Sequence, residues 1–300
     1  HYPLRRQRQM CIRDSGYRGG TADDCGQQRC PLSINHQARK RFGQNFLVDQ
    51  QIIAQIVSAV APKPDQNLVE IGPGMAAITE HLVKLCPSMS VLELDKDLVE
   101  FLGEKFVDYP DFSIHSGDAL KMDYAKLHNG RDLRLVGNLP YNISTPLLFH
   151  LLKVRHLITD MHFMLQREVV DRLGAVPSTK AYGRLSVMIQ YHCRVMPLIP
   201  VPPESFRPAP KVQSAVVRLK PHKTMPWVAD DEALLSQVVS LCFQQRRKTL
   251  RNCLRPYLQH LEGETGSGQS FDLSRRPEQL PVSEFVALSN CISRSVKTNQ

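Results

Sequence analysis

From Asp49 onward, apolar residues at Ile52, Ile53, Ile56, Val57 and Val60 recur at the spacing of one helical face, and Pro62 and Pro64 close the run. The spacing predicts a helix there. Asn67 to Gly72 then reads as a short β-prone run, followed by a turn at Pro73 and Gly74 and a helical stretch from Ala76 to about Leu85. The unit repeats, with a strand at Ser90 to Glu93, a helix from Lys96 to about Lys105, and strands at Phe112 to His115 and Leu133 to Gly137. Further strands are expected at Met161 to Leu165, Arg194 to Met196 and Ser214 to Leu219, with helices at Pro146 to Leu152 and Gln166 to Gly174. Strands alternating with helices predict an α/β fold, a mostly parallel sheet covered on both faces.

The pattern changes after Leu219. Pro221 to Trp227 carries two prolines and reads as a linker, and from about Asp230 to Ser293 the apolar spacing is helical (Leu234, Leu235, Val238, Val239, Leu241, Cys242), interrupted by a glycine-rich loop at Gly263 to Gly268. A small all-helical domain is expected there. At the other end, His1 to Ile34 has no hydrophobic periodicity and reads as a non-native or disordered leader; Asp14, Asp23 and Asp24 fit an organelle-targeting peptide poorly. The expected organisation is therefore a leader at 1–34, an α/β domain at 35–222 and a helical domain at 223–300.

Composition narrows the class. At 42% hydrophobic and 22% charged, with no run of eighteen apolar residues, the chain reads as a soluble globular protein without a membrane span. Lys and Arg outnumber Asp and Glu by 38 to 29, a net charge of +9, which favours a polyanionic partner. Removing the six arginines and three aspartates of residues 1–34 still leaves +6. Eight cysteines scattered over a chain with no secretory pattern predict reduced thiols in the cytoplasm. Cys25, Cys30 and His36 are poorly spaced for a metal, with no second pair following, so no metal site is expected.

The candidate chemistry lies at the ends of successive predicted strands. Glu70-Ile-Gly-Pro-Gly74 follows a strand and opens a helix, so its glycines let the backbone pass close to a ligand. Twenty-one residues after Gly72, Glu93 closes the next strand, where a carboxylate can accept from both ribose hydroxyls. Ala76 stands where a dinucleotide fingerprint prefers a third glycine, which argues against a pyrophosphate. Asp118, after the third strand, can accept from an adenine amino group, or be a solvated turn residue. After the fourth strand comes Asn138-Leu-Pro-Tyr141. The Asn138 amide oxygen and a backbone carbonyl at Leu139 or Pro140 can accept the two hydrogens of a planar exocyclic amine while Tyr141 stacks on its ring; the plainer reading is a turn with a core tyrosine.

In that order the elements resemble the S-adenosylmethionine-dependent methyltransferases of amino nitrogens, with a Rossmann-like sheet. Four further segments narrow the resemblance to the ribosomal RNA adenine dimethyltransferases: Arg39-Lys-Arg-Phe-Gly-Gln-Asn-Phe-Leu47, Asn138-Leu-Pro-Tyr-Asn-Ile-Ser-Thr-Pro146, Phe206-Arg-Pro-Ala-Pro-Lys-Val212 and Gln245-Arg-Arg-Lys-Thr-Leu-Arg-Asn252. Met161-His-Phe-Met-Leu-Gln166 and Lys180-Ala-Tyr-Gly-Arg-Leu-Ser186 look most like the bacterial small-subunit branch.

That resemblance implies dimethylation of N6 on two adjacent adenosines near the 3′ end of small-subunit RNA, within an immature small ribosomal subunit, by a monomer. It implies that Asn45 and Leu47 lie over the cofactor beside Gly72, Glu93, Asp118 and Asn138. It implies too that Phe206 stacks on the target base opposite Tyr141; without it, Phe206 reads as a core anchor. For RNA contact the residues expected are Arg39, Lys40 and Arg41, and Arg246, Arg247, Lys248 and Arg251, with 247, 248 and 251 on one side of a helix. Two alternatives remain open: methylation of another target, either one adenine of large-subunit RNA as in the Erm enzymes or a protein glutamine, and a non-catalytic RNA-binding assembly factor with a vestigial cofactor site.

Overall fold

The structure, a computed structural model, describes residues 45–261 and 270–298. The leader at 1–34, His36, the basic run Arg39, Lys40 and Arg41, and the glycine-rich loop at 263–268 lie outside the described residues.

A short strand β1 (Phe46–Leu47) leads into helix α1 (Gln50–Val60), whose start is set by Asp49. The Asp49 carboxylate accepts from the amides of Gln51 and Ile52 at 3.0 and 3.2 Å, two of the donors a helix leaves unpaired at its first turn. Then follow β2 (Asn67–Ile71), α2 (Thr79–Leu85), β3 (Ser90–Glu93), α3 (Lys96–Lys105), β4 (Ser113–Ser116), β5 (Leu133–Asn138), α4 (Ser144–Leu152), β6 (Ile158–Gln166) and α5 (Arg167–Leu173). Next come α6 (Arg184–His192), β7 (Cys193–Val201), β8 (Phe206–Arg207) and β9 (Ser214–Pro221), and finally α7 (Glu232–Gln244), α8 (Leu250–Cys253), α9 (Leu258–Leu261) and α10 (Val282–Thr298).

Seven strands make one sheet in the order β4-β3-β2-β5-β6-β9-β7, and β1 pairs separately with β8. β4, β3, β2, β5 and β6 run parallel, whereas β9 is antiparallel to both β6 and β7. The chain between β7 and β9 holds Pro202, Pro203, Pro208 and Pro210 and no crossover helix, so the returning strand runs back beside β7. All seven strands read from the sequence are present, with β6 and β7 longer than expected.

Side chains alternate across the sheet. Leu133 and Leu135 of β5 join a core with Leu147, Leu151 and Val170 from α4 and α5, while Val136 joins Ile53, Ile56, Leu82 and Leu102 from α1 to α3 on the other face. Helices thus cover both faces of a Rossmann-like sheet. A third core holds Leu235, Val238 and Val239 of α7 with Phe285, Leu288 and Ile292 of α10, and takes in Val187, Met188 and Tyr191 of α6. Because α6 also turns Leu185 and Ile189 toward the sheet, it is buried on nearly every side, Ser186 and His192 included, and its sequence carries no clean apolar stripe, which is why the sequence did not predict it.

Candidate active site

The parallel strands β2, β3 and β5 and the turns after them open on one cavity of about 280 Å³ at their carboxyl ends. Gly72 and Gly74 take φ of 69° and 58°, which side chains rarely adopt, and a Cβ on Gly74 would meet the Phe46 ring at 3.3 Å. The turn lies under β1 for that reason. Ala76, in the place of a third glycine, also has a positive φ of 67° and is fully buried.

Three carboxylates line this otherwise largely apolar space. Glu93 accepts from the amides of Leu94 and Asp95 at 2.8 and 2.9 Å through Oε1 and from Gly74 at 3.3 Å through Oε2. Burial raises its carboxyl above the ordinary value, against the pull of those amides. Glu70 is 1% exposed and accepts from the Thr79 hydroxyl at 2.7 Å; burial, aided by the charge on Glu93, pushes its carboxyl up to about 7. Asp118 accepts from the Leu120 amide at 2.9 Å through Oδ1. A cation is a ligand this set would favour, since Glu70 and Glu93 already carry a desolvation cost and gain from an opposite charge.

Asn138 ends β5. Its Nδ2 donates to the Asn45 carbonyl at 3.0 Å, which fixes which way the amide faces and leaves Oδ1 as the acceptor. Leu139 N donates to the Met164 carbonyl at 3.2 Å, so the strand end is tied to β6 as the chain turns. On its other side Gly137 lets β5 lie close against β2: a Cβ there would come within 2.5 Å of the Ile71 carbonyl oxygen. Tyr141 lines the cavity and hydrogen-bonds through its hydroxyl to Ser214 Oγ at 2.7 Å.

Asn45, Leu47, Gly72, Glu93, Asp118, Asn138, Leu139, Pro140 and Tyr141 all line the cavity. Phe206 does not. It is 1% exposed, its Cα pairs with Leu47, and it packs with Ile52, Val201 and Val216. The β1–β8 pairing draws the ring into the core beside Leu47, so the fold does not bring Phe206 into the cavity with Tyr141. Sequence reasoning also passed over Glu70, Thr79, Phe46 and Ser214. Glu70 had a signal, its place at the strand end just before Gly72; the others act through contacts distant in sequence.

The basic segment also differs from expectation. Residues 245–249 form a turn between α7 and α8, so 247, 248 and 251 do not share one helical face. Arg246 is engaged within the fold, donating to Glu278 at 2.7 Å and to the carbonyls of Lys180 and Thr179 at 2.8 and 2.9 Å. Arg247, Lys248 and Arg251 are exposed. Among the described residues no group of three or more His, Cys, Asp or Glu is placed to hold a metal, and no helix is long and apolar enough to cross a membrane.

Comparison with known proteins bears on this site. A family model described as ribosomal RNA adenine dimethylase matches residues 35–293. The chain is 57% identical over 258 residues to ribosomal RNA small subunit methyltransferase A of Saccharophagus degradans, covering 86% of this chain and 95% of that protein. It is 54% identical over 265 residues to the protein of the same description from Chromohalobacter salexigens, covering 87% and 93%. Among solved structures, a dimethyladenosine transferase from Plasmodium falciparum shares the fold at TM-score 0.69 and 23% identity, over 84% of this chain and 98% of that one. The 23S rRNA methyltransferase ErmE does so at TM-score 0.62 and 23% identity, over 83% and 100%.

Proposed function

The chain belongs to the ribosomal RNA adenine dimethylase family and is an rRNA methyltransferase, and we propose that it uses S-adenosylmethionine to dimethylate N6 of two adjacent adenosines near the 3′ end of small-subunit RNA. The observation that carries this reading is the Asn138 amide, oriented by the Asn45 carbonyl beside an acid-lined cavity. The small-subunit target is favoured over the large-subunit one because the relatives above 50% identity carry the small-subunit description, while ErmE is alike in fold.

The donor set suits this cofactor. Its sulfonium and amino group are cationic, which suits an acid-lined cavity with Glu70 beside the turn, and the left-handed turn at Gly72 and Gly74 leaves the backbone bare. Glu93 would accept from the ribose hydroxyls and Asp118 from the adenine amine, with Asn45 and Leu47 above. When bound, the cofactor supplies an electrophilic methyl group.

The target N6 is a weak nucleophile because its lone pair is delocalised into the purine. Asn138 Oδ1 and the carbonyl of Leu139 or Pro140 would accept its two hydrogens, so the nitrogen pyramidalises and its lone pair turns to the methyl. Tyr141 stacks on the base, contributing about 1–3 kcal/mol of binding. Alignment of the two reactants contributes more, about 7–11 kcal/mol. No side chain need act as a strong base, since the proton becomes acidic as the fourth bond forms.

Residues 35–222 would carry this chemistry and 223–300 would hold RNA through Arg247, Lys248 and Arg251, with Arg39, Lys40 and Arg41 contributing from before β1. The partner would be an immature small ribosomal subunit, the compartment the cytoplasm and the working form a monomer. Transfer of labelled methyl to unmodified small subunits, followed by nucleoside analysis, tests the reading. Dimethyladenosine is expected, falling at least about a hundredfold with Asn138→Ala, as when one polar partner of a developing charge is removed. No label transferred by protein that binds subunits, before and after removal of residues 1–34, favours the assembly factor instead.

A further inference from the structure

Stacking requires only the ring of Tyr141, yet its hydroxyl lies 2.7 Å from Ser214 Oγ, a contact between residues 73 apart. Ser214 is 1% exposed and begins β9, which is flanked on both sides; its Cα pairs with Gln166 of β6 and Val201 of β7. The amide of Leu139 is bonded to Met164 of that same β6. The clamp and the tip of the tyrosine ring are thus both referenced to one strand, two residues apart. At its other end Tyr141 is held by its carbonyl, which accepts from Ser144 Oγ at 3.1 Å.

We propose that Ser214 is a positioning residue that latches Tyr141 at a fixed angle to the Asn138 clamp, and that this latch is needed most for the second methyl transfer. The inference rests on the adenine N6 reading above. Each transfer forms an N–C bond from the N6 lone pair, breaks a C–S bond whose electron pair stays on sulfur, and releases one proton to water. After the first transfer N6 carries a single hydrogen, so one of the two acceptors of the clamp loses its donor. Orientation of the monomethylated base then depends more heavily on the stacking wall, and a ring free at its hydroxyl end holds it less well.

The test is a double-mutant cycle with Ser214→Ala and Tyr141→Phe, each of which removes the same hydrogen bond. Each single variant is expected to lower kcat about three- to tenfold, the scale of one hydrogen bond, with KM for subunits and affinity for the cofactor within about twofold of wild type. Monomethyladenosine accumulates, and the double variant is no worse than either single one. In cofactor-free protein the order of the Tyr141 ring, read by NMR of labelled tyrosine, falls in Ser214→Ala. Unchanged ratios of mono- to dimethyladenosine, or losses that add in the double variant, overturn the latch. Should Ser214→Ala fail to fold, the product ratio of Tyr141→Phe decides alone, because Tyr141 is only partly buried and its hydroxyl removal leaves the sheet intact. An inactive wild-type protein overturns the N6 reading itself, which is distinct from an active wild type with unchanged variants.

Discussion

At Glu70 a single buried carboxylate couples folding to pH. Burial raises its carboxyl from the ordinary 4.5 to about 7, so the folded protein holds this proton more tightly than the unfolded chain. The stabilisation is fully present below 4.5 and is lost as pH rises through about 7. Unfolding by denaturant across this range should show cofactor-free wild type losing roughly 3 kcal/mol relative to Glu70→Gln, with most of the change between pH 5 and 8. A cationic ligand acts in the opposite sense by favouring the ionised form. Cofactor affinity is therefore expected to rise with pH over the same window in wild type and to rise less in Glu70→Gln, where Glu93 alone keeps a raised carboxyl, as calorimetry would measure.

The turn between α7 and α8 divides its arginines between two tasks. Arg246 joins that turn to the Thr179–Lys180 backbone and to Glu278, so Arg246→Ala should cost about 1–2 kcal/mol of stability, with solvent screening at this partly exposed ion pair already discounted. Arg247→Ala should leave the melting temperature unchanged while weakening RNA binding. Thermal melts and RNA binding measured on both variants separate these outcomes. The segment read as one basic helix face because its sequence suits a helix; the chain turns there because Arg246 finds carbonyls and a carboxylate belonging to other elements. Helix α6 went unread for the converse reason, since contact with two cores leaves its apolar residues on more than one side and its polar ones scattered among them.

For the molecule as a whole, the net charge of +9 makes RNA binding a release of counterions. The logarithm of the affinity for the small subunit should fall linearly with the logarithm of salt concentration, and replacing Arg247 and Lys248 together should flatten that slope by about two. An unchanged slope would place the RNA contacts elsewhere on the surface.

Much of the lining of the candidate site was legible in the chain alone. Gly72, Glu93, Asp118 and Asn138 each follow a short run read as a strand, and in a parallel sheet the carboxyl ends of adjacent strands must meet along one edge, so local patterns sufficed to bring them together. Three features came only from the tertiary structure: the antiparallel entry of β9 between β6 and β7, the burial of Phe206 beside Leu47, and the hydrogen bond between Tyr141 and Ser214. Strand and turn propensities are written in neighbouring residues, whereas these contacts join residues far apart in the chain. Which ring faces the cavity and which faces the core was settled by packing, for which no local pattern stands.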